Sequence, residues 1–144
     1  MTKSRKQKLA EVHQAYVAEK QGTAPNRGAK DGSIPTHPVV PCPDLPEAEV
    51  LKRCLKWLRA RRVFCDRHDC GSGPGHARYG IKGAGDIIGI LYDGRHFEIE
   101  CKKGKGGRLS RAQQERMWAV RGAYGRYMVV HGVPELEHYM EGLI

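Results

Sequence analysis

The stretch GDIIGILYDGRHFEIECKK, Gly85 to Lys103, decides how this chain folds. Two runs rich in β-branched and aromatic residues, Asp86 to Tyr92 and His96 to Lys102, flank Asp93-Gly94, a strong hairpin signal. Side chains alternate faces along a strand, so Phe97, Ile99 and Cys101 share one face and Glu98, Glu100 and Lys102 the other. The first is a core face. The second, taken alone, reads as a solvated, salt-bridged surface. Asp86 changes that reading. It opens the partner strand directly after Gly83-Ala84-Gly85, and a hairpin brings it next to Glu100 and Lys102. Two carboxylates converging beside a lysine suit a hard divalent cation, with Mg²⁺ keeping several waters and room for a phosphate. A lysine on the same face can orient or activate a water and offset phosphate charge.

This arrangement imposes a condition on register. A two-residue Asp93-Gly94 loop pairs Tyr92 with Arg95 and sets Asp86 opposite Cys101, on the core face. The three polar groups meet only if the loop is odd or carries a bulge, with Gly94 the expected place for it.

Working outward, LPEAEVLKRCLKWLRARRV places Val50, Leu51, Cys54, Leu55 and Leu58 on one helical stripe. Pro46 suits its first turn, and Glu47 and Glu49 suit its positive end. Val63 to Cys65 begins a short strand. DRHDCGSGPGHARYGIKGAG is a long Gly-rich loop. After the hairpin, Ser110 with Gln113 forms a capping-box pattern for a helix ending near Gly122 or Gly125. Arg126 to Val130 is a strand and Pro134 to Met140 a closing helix. The order helix, three strands, helix, strand, helix predicts a mixed α/β sandwich with a small sheet. Upstream, Lys3 to Lys20 forms a polar helix. The Gly- and Pro-rich stretch after it reads as a linker or extended arm. The expected division is therefore an arm over residues 1–44 and a compact domain over 45–144.

The chain has 144 residues, with 25 Lys and Arg against 16 acids and a formal charge of +9. That excess favours polyanionic partners, nucleic acid first. No apolar run approaches the roughly 18 residues of a membrane span, and the N-terminal stretch has no apolar signal-peptide core. The five cysteines are odd in number and show no disulfide framework. A reducing cytoplasm is the expected location.

Asp86 followed by Glu100-Cys101-Lys102 resembles the D…(D/E)-x-K signature of the PD-(D/E)-x-K nuclease superfamily, although Gly85 stands where a proline usually precedes the acid. More narrowly, GAGDIIGI…FEIECKKGKGGRLSRAQ resembles the VRR-Nuc family, and the likeness spans roughly Pro46 to Met140. The resemblance implies an α/β, restriction-endonuclease-like αβββαβ core. It implies a Mg²⁺- or Mn²⁺-dependent DNA endonuclease hydrolysing phosphodiester bonds. Asp86, Glu100 and the Cys101 carbonyl would ligate the metal. Lys102 would position or activate the attacking water, and Gln113 would support the site, although a plain capping box explains Gln113 equally well. A first-helix carboxylate, Glu47 or alternatively Glu49, would lie near the metal. The resemblance also implies a homodimer acting on branched DNA such as a four-way junction, in a small stand-alone nuclease of phage type acting in a host cytoplasm.

Arg67, His68, Arg78 and Lys82 in the long loop, with Lys103, Lys105 and Arg108 after the E-x-K strand, are candidates for DNA phosphates. Cys65, His68, Cys70 and His76 are zinc-ligand types, but their spacing matches no zinc motif. Gly104 to Arg108 lacks the phosphate-binding P-loop string. Trp57 and Trp118 sit among apolar helix neighbours and read as packing residues. The alternative function is a catalytically silent basic nucleic-acid-binding module, for which charge alone suffices.

Overall fold

A computed structural model describes residues 2–21, 29–69, 71–72 and 78–144. Their elements run α1 (Arg5–Gln21), β1 (Ile34–Pro35), α2 (Glu47–Ala60), β2 (Phe64–Arg67), β3 (Gly71–Ser72), β4 (Arg78–Tyr79), β5 (Ile87–Ile90), β6 (His96–Cys101), β7 (Arg108–Leu109), α3 (Arg111–Gly122), β8 (Arg126–Val130) and α4 (Val133–Met140). The fold is mixed α/β. Its four-stranded sheet has the order β2-β5-β6-β8, with β2, β5 and β6 antiparallel and β8 parallel to β6. The pairs β1-β7 and β3-β4 form small antiparallel additions. Among the described residues, no helix is long and apolar enough to cross a membrane.

Sheet alternation separates two cores. Ile87, Phe97, Ile99, Cys101, Met128 and Val130 pack with Val50, Cys54, Leu55 and Leu58 of α2 and with Leu136 and Met140 of α4. On the other face Tyr127 joins Ile34, Leu109, Met117 and Val120, with Trp118 packed beside them. The sheet thus lies between α2 with α4 on one side and α3 on the other. Trp57 is half-buried against the first core and donates to Glu137 Oε1 at 3.0 Å. Both tryptophans are packing residues, as their neighbours predict.

The β5–β6 pairing is the decisive local feature. Ile87 faces Ile99 and Ile90 faces His96. The Leu91 N–H donates to Arg95 O, and the Gly94 N–H donates to Leu91 O. Tyr92, Asp93 and Gly94 therefore form a three-residue turn, with Gly94 at φ +88°. A left-handed residue there is what a three-residue hairpin demands and what glycine supplies without strain. The loop is odd, and one step beyond Ile87–Ile99 sets Asp86 opposite Glu100.

Two expectations need correction. The Glu98–Lys102 face is not solvated: Glu98, Glu100 and Lys102 are all buried. Alternation identified a polar face but could not show that α3 covers it. The stretch read as an arm is also not free over its second half. Ile34 lies in the α3-side core. Thr36 Oγ1 lies 2.9 Å from His131 Nε2, and Glu135 accepts the N–H groups of Val39 and His131, each at 2.7 Å. Arg108 and Gln114 bond Ser33 and the Gly32 carbonyl. Polar side chains from distant elements anchor this Gly- and Pro-rich segment, so its own periodicity carries no sign of the contact. Residues 22–28 of the same stretch lie outside the described residues.

The turn before Asp86 is braced from several sides. The Tyr127 hydroxyl donates to Gly83 O at 3.1 Å. Gly83 has φ +80°, and a Cβ there would sit 2.2 Å from the Ala112 carbonyl oxygen in the first turn of α3. Gly83→Ala combines left-handed strain with a backbone clash and is expected to cost about 2 kcal/mol or more. Urea unfolding should show the loss, and a change below about 0.5 kcal/mol would contradict this packing.

Candidate metal centre

The site forms where three elements meet: the N-terminus of α2, the residue preceding β5, and the end of β6. One carboxylate oxygen from each of Glu47, Asp86 and Glu100 lies within 4.8 Å of the other two. Glu47 is exposed, Asp86 half-buried and Glu100 buried. Glu49 is engaged elsewhere, in a 3.0 Å pair with Arg53 one turn on. The first-helix carboxylate that joins the others is therefore Glu47.

Asp86 is held firmly. Its Oδ2 accepts the Cys101 N–H at 2.8 Å, and its carbonyl accepts the His68 N–H at 2.7 Å. The Cys101 side chain points away into the α2-side core. Lys102 Nζ donates to Glu100 Oε1 at 3.1 Å and to Gln113 Oε1 at 3.2 Å. Gln113 Nε2 donates to Glu100 Oε1 at 2.7 Å, while its Oε1 also accepts the Ser110 N–H at 2.9 Å. Gln113 completes the capping box that its spacing from Ser110 predicts, and the same amide reaches Glu100 and Lys102.

The electrostatics are those of a site that lacks positive charge. Burial pushes Glu100 up to about 7, and the Asp86 charge adds to it against the attraction of Lys102. Burial also raises Asp86, partly opposed by the Cys101 N–H and Lys102. Converging carboxylates of this kind are relieved by a divalent cation. The donor set is all oxygen, as Mg²⁺ and Mn²⁺ prefer. The residues present fit such an ion.

Glu98, two residues before Glu100, went unnoticed as a site support. It is fully buried and bonds Arg116 at 2.7 Å, His96 at 2.6 Å and the Gly85 N–H at 2.9 Å. Burial alone would raise its pKa, but these partners outweigh burial and hold it below the ordinary range. Arg116 lies three residues after Gln113, so one face of α3 presents an amide to Glu100 and a guanidinium to Glu98. That spacing was the signal available in the sequence.

The candidate phosphate contacts scatter. Arg67 ends β2 and bonds Asp69 at 3.1 Å. His68 is half-buried, with Nε2 accepting the Ile81 N–H at 3.4 Å, and so serves the loop rather than the surface. Lys82 and Lys103 are exposed. Lys105 is exposed with a 3.7 Å contact to Asp44. Arg108 is occupied by Ser33. The Arg78 side chain lies outside the described residues. So do Cys70 and His76 of the zinc-type set, while Cys65 packs against the core.

No protein-family model, curated protein or solved structure matches this chain.

The Glu100 pKa gives a signed expectation for the metal-free protein. A carboxyl with a folded pKa of about 7 and an unfolded value near 4.5 opposes folding when ionised. Its favourable contribution is complete below pH 4.5 and lost as pH rises through 7. With chelator present, Glu100→Gln should match the parent at about pH 4.5. At pH 8 it should exceed the parent by on the order of 2–3 kcal/mol. Urea titrations at both pH values measure this. A variant destabilised at pH 8 would overturn the assignment of strained charge to Glu100.

Proposed function

We propose that this chain is a metal-dependent DNA endonuclease, a VRR-Nuc-type member of the PD-(D/E)-x-K superfamily that hydrolyses phosphodiester bonds. The observation that carries the reading is the meeting of Glu47, Asp86 and Glu100 within 4.8 Å of one another, with Lys102 bonded to Glu100. The element order α2, β2-β5-β6, α3, β8 supports the αβββαβ architecture that the resemblance implies. The net charge of +9 supports a polyanionic substrate.

In this reading Glu47, Asp86 and Glu100 hold one Mg²⁺ or Mn²⁺, joined by the Cys101 carbonyl. The ion would offset charge on the scissile phosphate and lower the pKa of a bound water. Lys102 makes two bonds, to Glu100 and Gln113, and an ammonium has three donors. Its third N–H orients the attacking water or neutralises phosphate charge. Gln113 keeps Lys102 aimed by accepting from it while donating to Glu100. Arg116 and Glu98 fix the Gly85 amide and hence the entry into Asp86. The substrate we propose is branched DNA, cut by a homodimer.

A panel of junction, flap, duplex and single-stranded DNAs tests the proposal with Mg²⁺, Mn²⁺ or chelator. Cleavage should need the metal. Asp86→Asn keeps an acceptor for the Cys101 N–H but removes a ligand charge, so it should abolish cleavage and preserve or strengthen gel-shift binding. Lys102→Ala should lower cleavage about a hundredfold or more. Cleavage by Asp86→Asn at the parent rate, or none by the parent on any DNA, would overturn the proposal.

A further inference from the structure

A groove of about 670 Å³ lies between α2 and the edge strand β2, on the side of the sheet away from α3. Leu51 and Leu55 form its floor, and Lys52, Lys56, Arg59 and Arg67 form its rim. Among the described residues no carboxylate lines it, although Arg67 pairs with Asp69 just beyond the rim. Lys52, Lys56 and Arg59 follow at intervals of four and three residues, which puts them on one helical stripe. The stripe is about 10 Å long. All three are exposed, and none makes an ion pair with a described residue. The neighbouring acid Glu49 is already taken by Arg53.

The groove is oriented with respect to the carboxylates. One end is Ala48, the residue after Glu47. On the opposite wall Arg67 pairs with Ile87, the residue after Asp86, and the next residue, His68, donates to the Asp86 carbonyl. The other end is Arg59 and Ala60, where α2 stops. A line of unpaired cations thus leads from the metal centre along α2, above an apolar floor.

We propose that this groove is the track for one strand of DNA flanking the scissile phosphate. Lys52, Lys56, Arg59 and Arg67 would meet successive phosphates, and the sugars would lie against Leu51 and Leu55. The volume falls in the range of about 300–1,000 Å³ typical of small-ligand sites, which fits a short length of single strand. Cationic grooves with apolar floors hold single strands without reading sequence. The position of the scissile phosphate rests on the function proposed above, but binding of the strand does not.

The test uses the full chain, chelator and a fluorescein-labelled single-stranded oligonucleotide of about 12 nucleotides, followed by anisotropy across a salt series. Lys52→Gln/Lys56→Gln is compared with Arg95→Gln/Arg126→Gln. The second pair removes equal charge at the hairpin end of the sheet, where Arg126 faces Phe97. Lys52, Lys56 and Arg126 are exposed and Arg95 is half-buried beside Asp93, and thermal melts check that both variants remain folded. The groove variant should bind at least about tenfold more weakly, and its log–log salt slope should fall by about 1.4, roughly 0.7 per cation. The control should change affinity less than about threefold. Equal losses in the two variants, or no loss in the groove variant, would overturn the track. A larger loss on the matching duplex than on the single strand would overturn its assignment to one strand. If the groove variant loses the strand while the parent cleaves no DNA with any metal, the track stands and the nuclease reading falls. If the parent cleaves and the groove variant binds and cleaves as the parent does, the track falls and the nuclease reading stands.

Discussion

The structure depends on a parity. Two antiparallel strands joined by an even loop would send Asp86 into the apolar core with Cys101. An odd loop turns it toward Glu100. Tyr92, Asp93 and Gly94 make the loop odd, and Gly94 allows it by taking a left-handed conformation at φ +88°. The acidic centre is thus set by a residue at the far end of the hairpin, a full strand length away. Glu47 on α2 and the polar side chains of α3 meet Asp86 and Glu100 only because that turn holds register.

Burying Glu98, Glu100 and Lys102 beneath a helix would be prohibitive without compensation, since isolated buried charges are strongly destabilising. α3 provides it with two side chains one turn apart. Arg116 neutralises Glu98, which is over-satisfied and held as an anion. Glu100 receives only Lys102 and an uncharged amide while facing Asp86, and it is pushed toward its protonated form. Neighbouring acids on one strand face therefore have opposite fates. One is a brace, complete without any ligand. The other is left short of positive charge. A second polar network, Thr36, His131 and Glu135, secures the segment leading toward α2 in the same way, by saturating every buried group.

Most elements were legible in the sequence because each has a local cause. The stripe of Val50, Cys54, Leu55 and Leu58 marks α2, Ser110 and Gln113 mark the start of α3, and Asp93-Gly94 marks the turn. Even the odd loop followed from strand parity once Asp86 and Glu100 were required to meet. What escaped was contact between distant elements. Alternation cannot show that a polar strand face is roofed by a helix, so Glu98 looked solvated and Arg116 had no assigned partner. The anchoring of Ile34 and Thr36 depends on Leu109, Gly107 and His131, far along the chain, so a Gly- and Pro-rich stretch looked like an arm. The Lys52, Lys56 and Arg59 stripe was visible as helical spacing. Its meaning required β2 to lie alongside.

The orientation of Gln113 has a further consequence. Its carbonyl end faces two donors, the Ser110 N–H and the Lys102 ammonium, and its amino end faces the Glu100 carboxylate. Reversing the amide would set NH₂ against two donors and C=O against an anion, three mismatches at once. The side chain is therefore locked against flipping by both the helix and the acidic centre. A glutamate there could still cap α3 but would meet Glu100 as a like charge, a lysine could answer Glu100 but accept from neither donor, and a methionine would abandon both duties. At this position a carboxamide is the one functional group whose two ends answer opposite demands.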